Sequence, residues 1–349
     1  MRWSAVILAA GVLAVSAAGC GGSNDASQSE VVLVTHDSFA ISGPVKRSFE
    51  RSSGLRLRIL QAGDAGEALN RALLTAGDPE GDVFFGVDNN LLTRALDPEL
   101  FEPYESPELR AVNERYRLDG EHRVTPVDHG EVCLNVDHGW FARRRLEPPD
   151  SLDDLVRPGY RDLLVVENPA TSTPGLAFLL ATIARYGEDG WQPYWRRLRE
   201  AGVLVTDGWE EAYTARFSGS AAGGGRRPIV VSYASSPAAE VVFAGKPLEE
   251  APTSVIKSSC FRQVELAGVL RGARNEDGAR KLIDFFLSPT FQRDVPLSMF
   301  VFPVRRGIAL PAVFRKHAVV VARPLDLPPG EIGANRDRWI REWTDIVLR

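Results

Sequence analysis

The chain carries little with which to do covalent chemistry. Its 349 residues include only 3 cysteines, 2 methionines and 5 histidines, and His36, His122, His129, His138 and His317 show no metal-ligand spacing such as HExxH. GxSxG, GxxxxGK[ST] and CxxC are all absent, and Ser232 has no lysine three residues on to make an SxxK motif. These absences exclude the common nucleophilic, phosphate-cradling and thiol-redox sites. Charge of one sign is lacking too: 41 basic residues against 46 acidic ones give a net charge of −5 with no long run of either. That leaves no electrostatic footprint for a nucleic acid. Long apolar runs are confined to residues 5–18, short of the ~20 residues a spanning helix needs.

What is present suits a globular protein: 44% hydrophobic and 25% charged residues, with 31 glycines and 23 prolines. At roughly 150 residues per domain, the length predicts about two domains or lobes and hence room for a cleft. Arg2, the apolar run and the small residues Ala17, Ala18 and Gly19 directly before Cys20 read as an export signal over 1–19. They resemble a bacterial lipobox with Ala17 in the usual leucine position, so Cys20 is expected to carry lipid. The polar segment 20–30 is then a flexible tether, and the lipid is the sole attachment to the membrane. Cys133 and Cys260 remain as an even pair in an oxidising compartment, either bridged or as two isolated buried thiols.

Beyond the tether, β-rich runs alternate with helical patterns, as in α/β folds. Strands are expected at 31–35, 55–60 and 82–87 and again at 163–166, 203–205 and 229–233. Each runs into a polar loop: His36-Asp37-Ser38-Phe39, Gly63-Asp64-Ala65, Asp88-Asn89-Asn90, Asn168 to Gly175, Asp207-Gly208-Trp209, and Ala234-Ser235-Ser236. Ligands collect at the carboxyl ends of strands in open α/β sheets, so these loops point to one site. Ser172 and Thr173, placed before a helix from 176 to 186, suit a hydroxyl or phosphate group. Asp88 and Asn89 read equally well as caps, and His36 and His129 as hydrogen-bonded structural histidines. Residues 223–227 read as a loose surface insertion. A C-terminal helix over 335–348 should bury Trp339 and Trp343.

Five of these motifs, Thr35 to Phe39, Gly86 to Leu92, Asn168 to Leu176, Gly208 to Tyr213 and Ser232 to Pro237, resemble in order the thiamine-binding receptors of bacterial ABC importers. So do Gln263-Val264-Glu265 and Phe300 to Val304. The resemblance implies a two-lobed type II periplasmic-binding-protein fold with the ligand cleft between the lobes, 31–132 with 262–349 forming one and 133–261 the other. It implies ligand contacts at Asp64, Ala65, Ser172, Thr173, Trp209, Tyr233, Ala234, Ser235 and Ser236, and at Asp37, Phe39 and Phe300. His36, Ala239 and Phe300 stand where the family has aromatics (tyrosine, an aromatic and tryptophan), which thins its aromatic cage. The crossing strands of that fold run side by side, which would bring Cys133 to Cys260. The implied role is that of a non-enzymatic, cofactor-free, extracytoplasmic monomer that hands thiamine or its phosphates to a permease. A same-fold receptor for ferric iron or a polyamine is the alternative, although this chain has no Tyr-Tyr pair of the kind iron receptors use.

Overall fold

The computed structural model describes residues 29–96 and 99–349, so Cys20 and its leader lie outside the described residues. In chain order the strands are β1 (Glu30–Thr35), β2 (Arg56–Gln61), β3 (Val83–Asp88), β4 (Phe101–Glu102), β5 (Thr125–Asp137), β6 (Leu164–Glu167), β7 (Leu204–Thr206), β8 (Ile229–Tyr233), β9 (Thr253–Leu270) and β10 (Phe302–Pro303). The helices are α1 (Gly43–Ser53), α2 (Ala65–Leu74), α3 (Leu92–Leu96), α4 (His138–Arg144), α5 (Thr173–Tyr186), α6 (Trp191–Glu200), α7 (Ser236–Phe243), α8 (Glu276–Leu287), α9 (Pro289–Ser298), α10 (Ala312–His317) and α11 (Pro329–Val347).

The sheet runs β2-β1-β3-β9-β5-β8-β6-β7. Its two outer thirds are parallel, β1 with β2 and β3, and β6 with β7 and β8. Between them the two longest strands, β5 and β9, lie antiparallel to each other and to their outer neighbours. Helices cover both faces, which explains why β1, β3, β6 and β8 are almost wholly apolar, whereas the edge strand β2 alternates. Along β1 and β3, Val31, Leu33, Val83 and Phe85 join one core with Phe286 of α8, while Val34 and Phe84 face another.

Two helices start earlier than the pattern suggested. Proline fits the first turn, where no N–H partner is needed, so α5 begins at Thr173 with Pro174 in that turn. The same holds for Pro329 in α11, whose first turns contain the poor helix formers Gly330 and Gly333. Gly333 is demanded by packing, because a Cβ there would meet Thr93 of α3 at 2.8 Å. Farther along, Trp343 is edge-on to Trp195 of α6 at 5.5 Å. Trp339, 1% exposed, donates from its ring nitrogen to Glu188. α11 thus packs on elements from both sides of the central strand pair.

Ladder pairing between β5 and β9 extends from Thr125↔Ala267 to Asp137↔Thr253, but its register jumps between Val132↔Phe261 and Leu134↔Ile256. Cys133 and Cys260 sit at that irregularity, their sulfurs bonded and their Cα atoms 4.2 Å apart. The Leu134 N–H finds its partner in the Ser259 hydroxyl at 2.9 Å. A bulge that loosens a ladder is therefore stapled where the two longest strands cross. Because the bridge closes a loop of 127 residues, removing both cysteines by Cys133→Ala with Cys260→Ala should lower stability by about 2–5 kcal/mol. The shift in urea midpoint measures this, and a midpoint equal to that of the oxidised wild type would argue against stapling.

Candidate functional site

The carboxyl ends of β1, β2, β6, β7 and β8 converge with the middle of β9 around a cavity of about 590 Å³. Of the residues singled out in the sequence, Asp37, Phe39, Asp64, Ala65, Thr173, Trp209, Tyr233, Ser236 and Phe300 line it. Ser172, Ala234 and Ser235 do not; all three are buried behind the wall. The Ser235 hydroxyl donates to the carbonyl of Phe300. Phe300 needs that support, since its φ of 56° lies in the left-handed region that side chains disfavour. Ser235 thus positions a wall residue rather than forming the wall.

Asp64 caps α2, where its Oδ1 accepts from the Ala65 N–H at 2.7 Å. The same carboxylate reaches across the cavity. Its Oδ1 accepts from the N–H of Thr173 at the start of α5 at 3.3 Å, and its Oδ2 from that of Trp209 at 3.1 Å. Close approach is possible because Gly66 lacks a side chain: a Cβ there would lie 2.5 Å from the Thr171 carbonyl. Burial pushes the Asp64 carboxyl above its ordinary range, against the pull of the Trp209 N–H and the His36 charge. The helix start expected to receive a ligand group is thus held by a carboxylate of the chain itself.

The aromatic part of the wall is built by a π-helical turn at Glu211–Arg216 following Trp209. It stacks Trp209 on Tyr213, centroids 4.9 Å apart and planes 17° apart, with Tyr233 edge-on at 6.3 Å. The Trp209 ring nitrogen donates to the Ser232 hydroxyl at 2.9 Å, and that hydroxyl lies 2.8 Å from Ser236. Hydrogen bonds of this kind fix the indole plane and leave little freedom to lose when a flat ligand stacks.

Acid groups form the floor. Glu265 on β9 stands directly opposite Asp88 on β3 and Asp128 on β5, three carboxyls in a row across three strands. Like charges so placed repel, and burial makes the repulsion expensive. Burial, with the neighbouring Glu265, raises Asp88 to about 7 and pushes Asp128 well above the carboxylate range. Glu265 itself is lowered: burial opposes its charge, but His36 and Asp128 outweigh it. His36 Nε2 lies 3.4 Å from Glu265. Burial works against the imidazolium, yet Glu265 lifts the His36 pKa above its ordinary value. His36, expected to be structural, is therefore a wall residue. His129 is structural: it is sandwiched between Tyr116 and Phe302 at 4.4 and 5.4 Å, and burial drives it down to about 3.

Several wall residues escaped the sequence. Tyr213 lies at the end of the Gly208–Tyr213 motif, and its i+4 spacing from Trp209 signals a shared face. Glu265 sits in a strand with no local mark of its place in the wall. Ser220, Ala221 and Ala222 belong to the segment leading into 223–227, which is tied down rather than loose. The Arg226 and Arg227 N–H groups both donate to Arg216, and the Ala221 N–H donates to Glu240. Glu240 in turn accepts from the Tyr213 hydroxyl at 2.6 Å.

Comparisons with known proteins agree with this architecture. The family described as bacterial extracellular solute-binding protein matches residues 78–320. The thiamine-binding periplasmic protein of Escherichia coli strain K12 is 32% identical over 328 residues, covering 91% of this chain and 94% of its own. A solved periplasmic thiamin binding protein superposes with a TM-score of 0.79 at 31% identity, over 92% of this chain and 96% of that one. Iron-bound HitA from Pseudomonas aeruginosa, only 17% identical, shares the fold with a TM-score of 0.70 over 91% of this chain and 99% of its own. A two-lobe α/β receptor scaffold, a walled cavity at its strand ends and a family match across more than half the sequence lead to one conclusion: the chain belongs to the bacterial extracellular solute-binding proteins.

Proposed function

We propose that the chain is the extracytoplasmic receptor of an ABC importer and captures thiamine in the cavity described above. The observation that carries the reading is the pairing of a stacked aromatic wall, Trp209 on Tyr213, with the carboxylates Asp37, Asp64 and Glu265 in one cavity. Thiamine joins a flat aminopyrimidine to a permanently cationic thiazolium. Rings favour its stacking and cation–π contact, at roughly 0.5–2 kcal/mol each, while carboxylates complement its charge. The thiamine-binding relatives support the same ligand. A ferric receptor is less well supported: iron-bound HitA is only 17% identical, against 31% and 32% for the two thiamine-binding proteins.

Residues 31–132 with 262–349 form one lobe of this reading and 133–261 the other, hinged at β5 and β9. Asp64 would then clasp one lobe to the other through Thr173 and Trp209. Delivery to the permease needs no catalysis, and the relatives that support the reading are named as binding proteins. Lipid on Cys20 would hold the receptor at the membrane face.

Trp209→Ala should weaken thiamine binding by about 1–3 kcal/mol, roughly 5- to 150-fold, as measured by calorimetric titration. Tyr233→Ala should resemble it. Trp339→Ala, deep in the core, should instead cost about 3–5 kcal/mol of stability with binding changed only indirectly. Normal thiamine binding by Trp209→Ala would remove the site assignment. In cells, labelled palmitate should enter the wild type and not Cys20→Ala; equal labelling of the two would overturn the anchor.

A further inference from the structure

We propose that a second cavity, between α3 and α11, is a binding site for a tetrahedral oxyanion of the phosphate and sulfate class. Its volume is about 270 Å³, and Asn90, Thr93, Arg94, Gly333, Arg336 and Asp337 line it. None of these residues lines the cavity at the strand ends, so the two sites are separate. The joint where α11 meets α3 thus holds two guanidinium groups.

Arg336 is 7% exposed, a depth at which an arginine is kept only where its charge is answered. Among the described residues its one acceptor is Asp337, whose Oδ1 receives an Nη1 hydrogen at 2.7 Å. The same oxygen lies 3.8 Å from Nη1 of Arg94. Two cations therefore share one carboxylate, and that carboxylate side chain is 69% exposed. The Nε atoms of both arginines are buried with no hydrogen-bond partner among the described residues. Burial and the adjacent Arg94 both work against the Arg336 charge. Asp88 stands behind Asn90, its oxygens taken by the N–H groups of Asn90 and Leu91 and by the Asn90 amide, and it does not line the cavity.

An anion entering beside Asp337 meets more positive than negative charge and supplies the acceptors that the arginines lack. Forks brought in on two different helices suit an ion with oxygens in four directions better than a flat carboxylate, which presents one edge. The Thr93 hydroxyl adds a neutral donor to the same wall. Gly333 leaves room for it, since a Cβ there would crowd that hydroxyl at 2.8 Å.

Calorimetric titration of the purified protein with orthophosphate, sulfate and acetate, in chloride buffer of constant ionic strength, tests this. Phosphate and sulfate should each bind saturably at one site, more tightly than acetate, and phosphate should raise the melting temperature as a ligand of the folded state does. Arg94→Gln alters a partly exposed side chain and should weaken phosphate binding roughly tenfold or more, with loss of most of the melting shift. Asp337→Asn should strengthen phosphate binding severalfold by removing the resident competitor. The site is overturned if neither ion binds saturably, if Arg94→Gln binds phosphate like the wild type, or if Asp337→Asn fails to tighten it. Acetate binding as tightly as phosphate overturns the tetrahedral class.

Discussion

Everything else in the molecule hangs on the antiparallel pairing of β5 with β9. Each outer third of the sheet is parallel and so needs helices on both faces to bury its strands. Neither third touches the other through its own strands: β3 reaches the second half only through β9, and β8 reaches the first only through β5. Two long strands side by side resist shear along their ladder but permit twist about it. The disulfide and the Ser259 hydrogen bond reinforce the ladder at its irregularity between Val132 and Leu134. α11, packed on α3 and α6, is a second strap across the same divide.

The acid row across β3, β9 and β5 follows from the same pairing, because register alone sets Asp88 and Asp128 beside Glu265. Burying three carboxyls together is costly; burial raises the proton affinity of Asp88 and Asp128, while Glu265 is paired with His36. Stability is given up locally to keep the Glu265 carboxylate under the cavity. Such a concession makes sense where a cation is to be received, since the ligand's charge replaces solvent that burial has removed.

Most of the fold was legible from local signals. Strand runs and the loops that follow them depend on neighbours within a few residues, and Asp64, Thr173, Trp209 and Tyr233 are legible from loop position together with family likeness. What escaped depends on distant pairing. Glu265 lies in an apolar strand, and nothing local tells that Asp88 and Asp128 flank it. Ser235 reads like its neighbour Ser236, yet one faces the cavity and the other secures the strained Phe300. The segment before Arg226 has the composition of a loose loop, and only the hydrogen bonds to Arg216 and Glu240 make it a wall.

The covalent link between Cys133 and Cys260 also changes the topology of the chain as a polymer. The 127-residue separation between the two cysteines makes the intervening segment a closed ring, with the flanking segments leaving from the same point. A protease cutting once anywhere within that ring opens it without releasing a fragment. For a protein exposed outside the cytoplasm, a nick in a rim loop thus leaves both halves tethered at the crossing strands, free to stay paired and to keep the cavity between them.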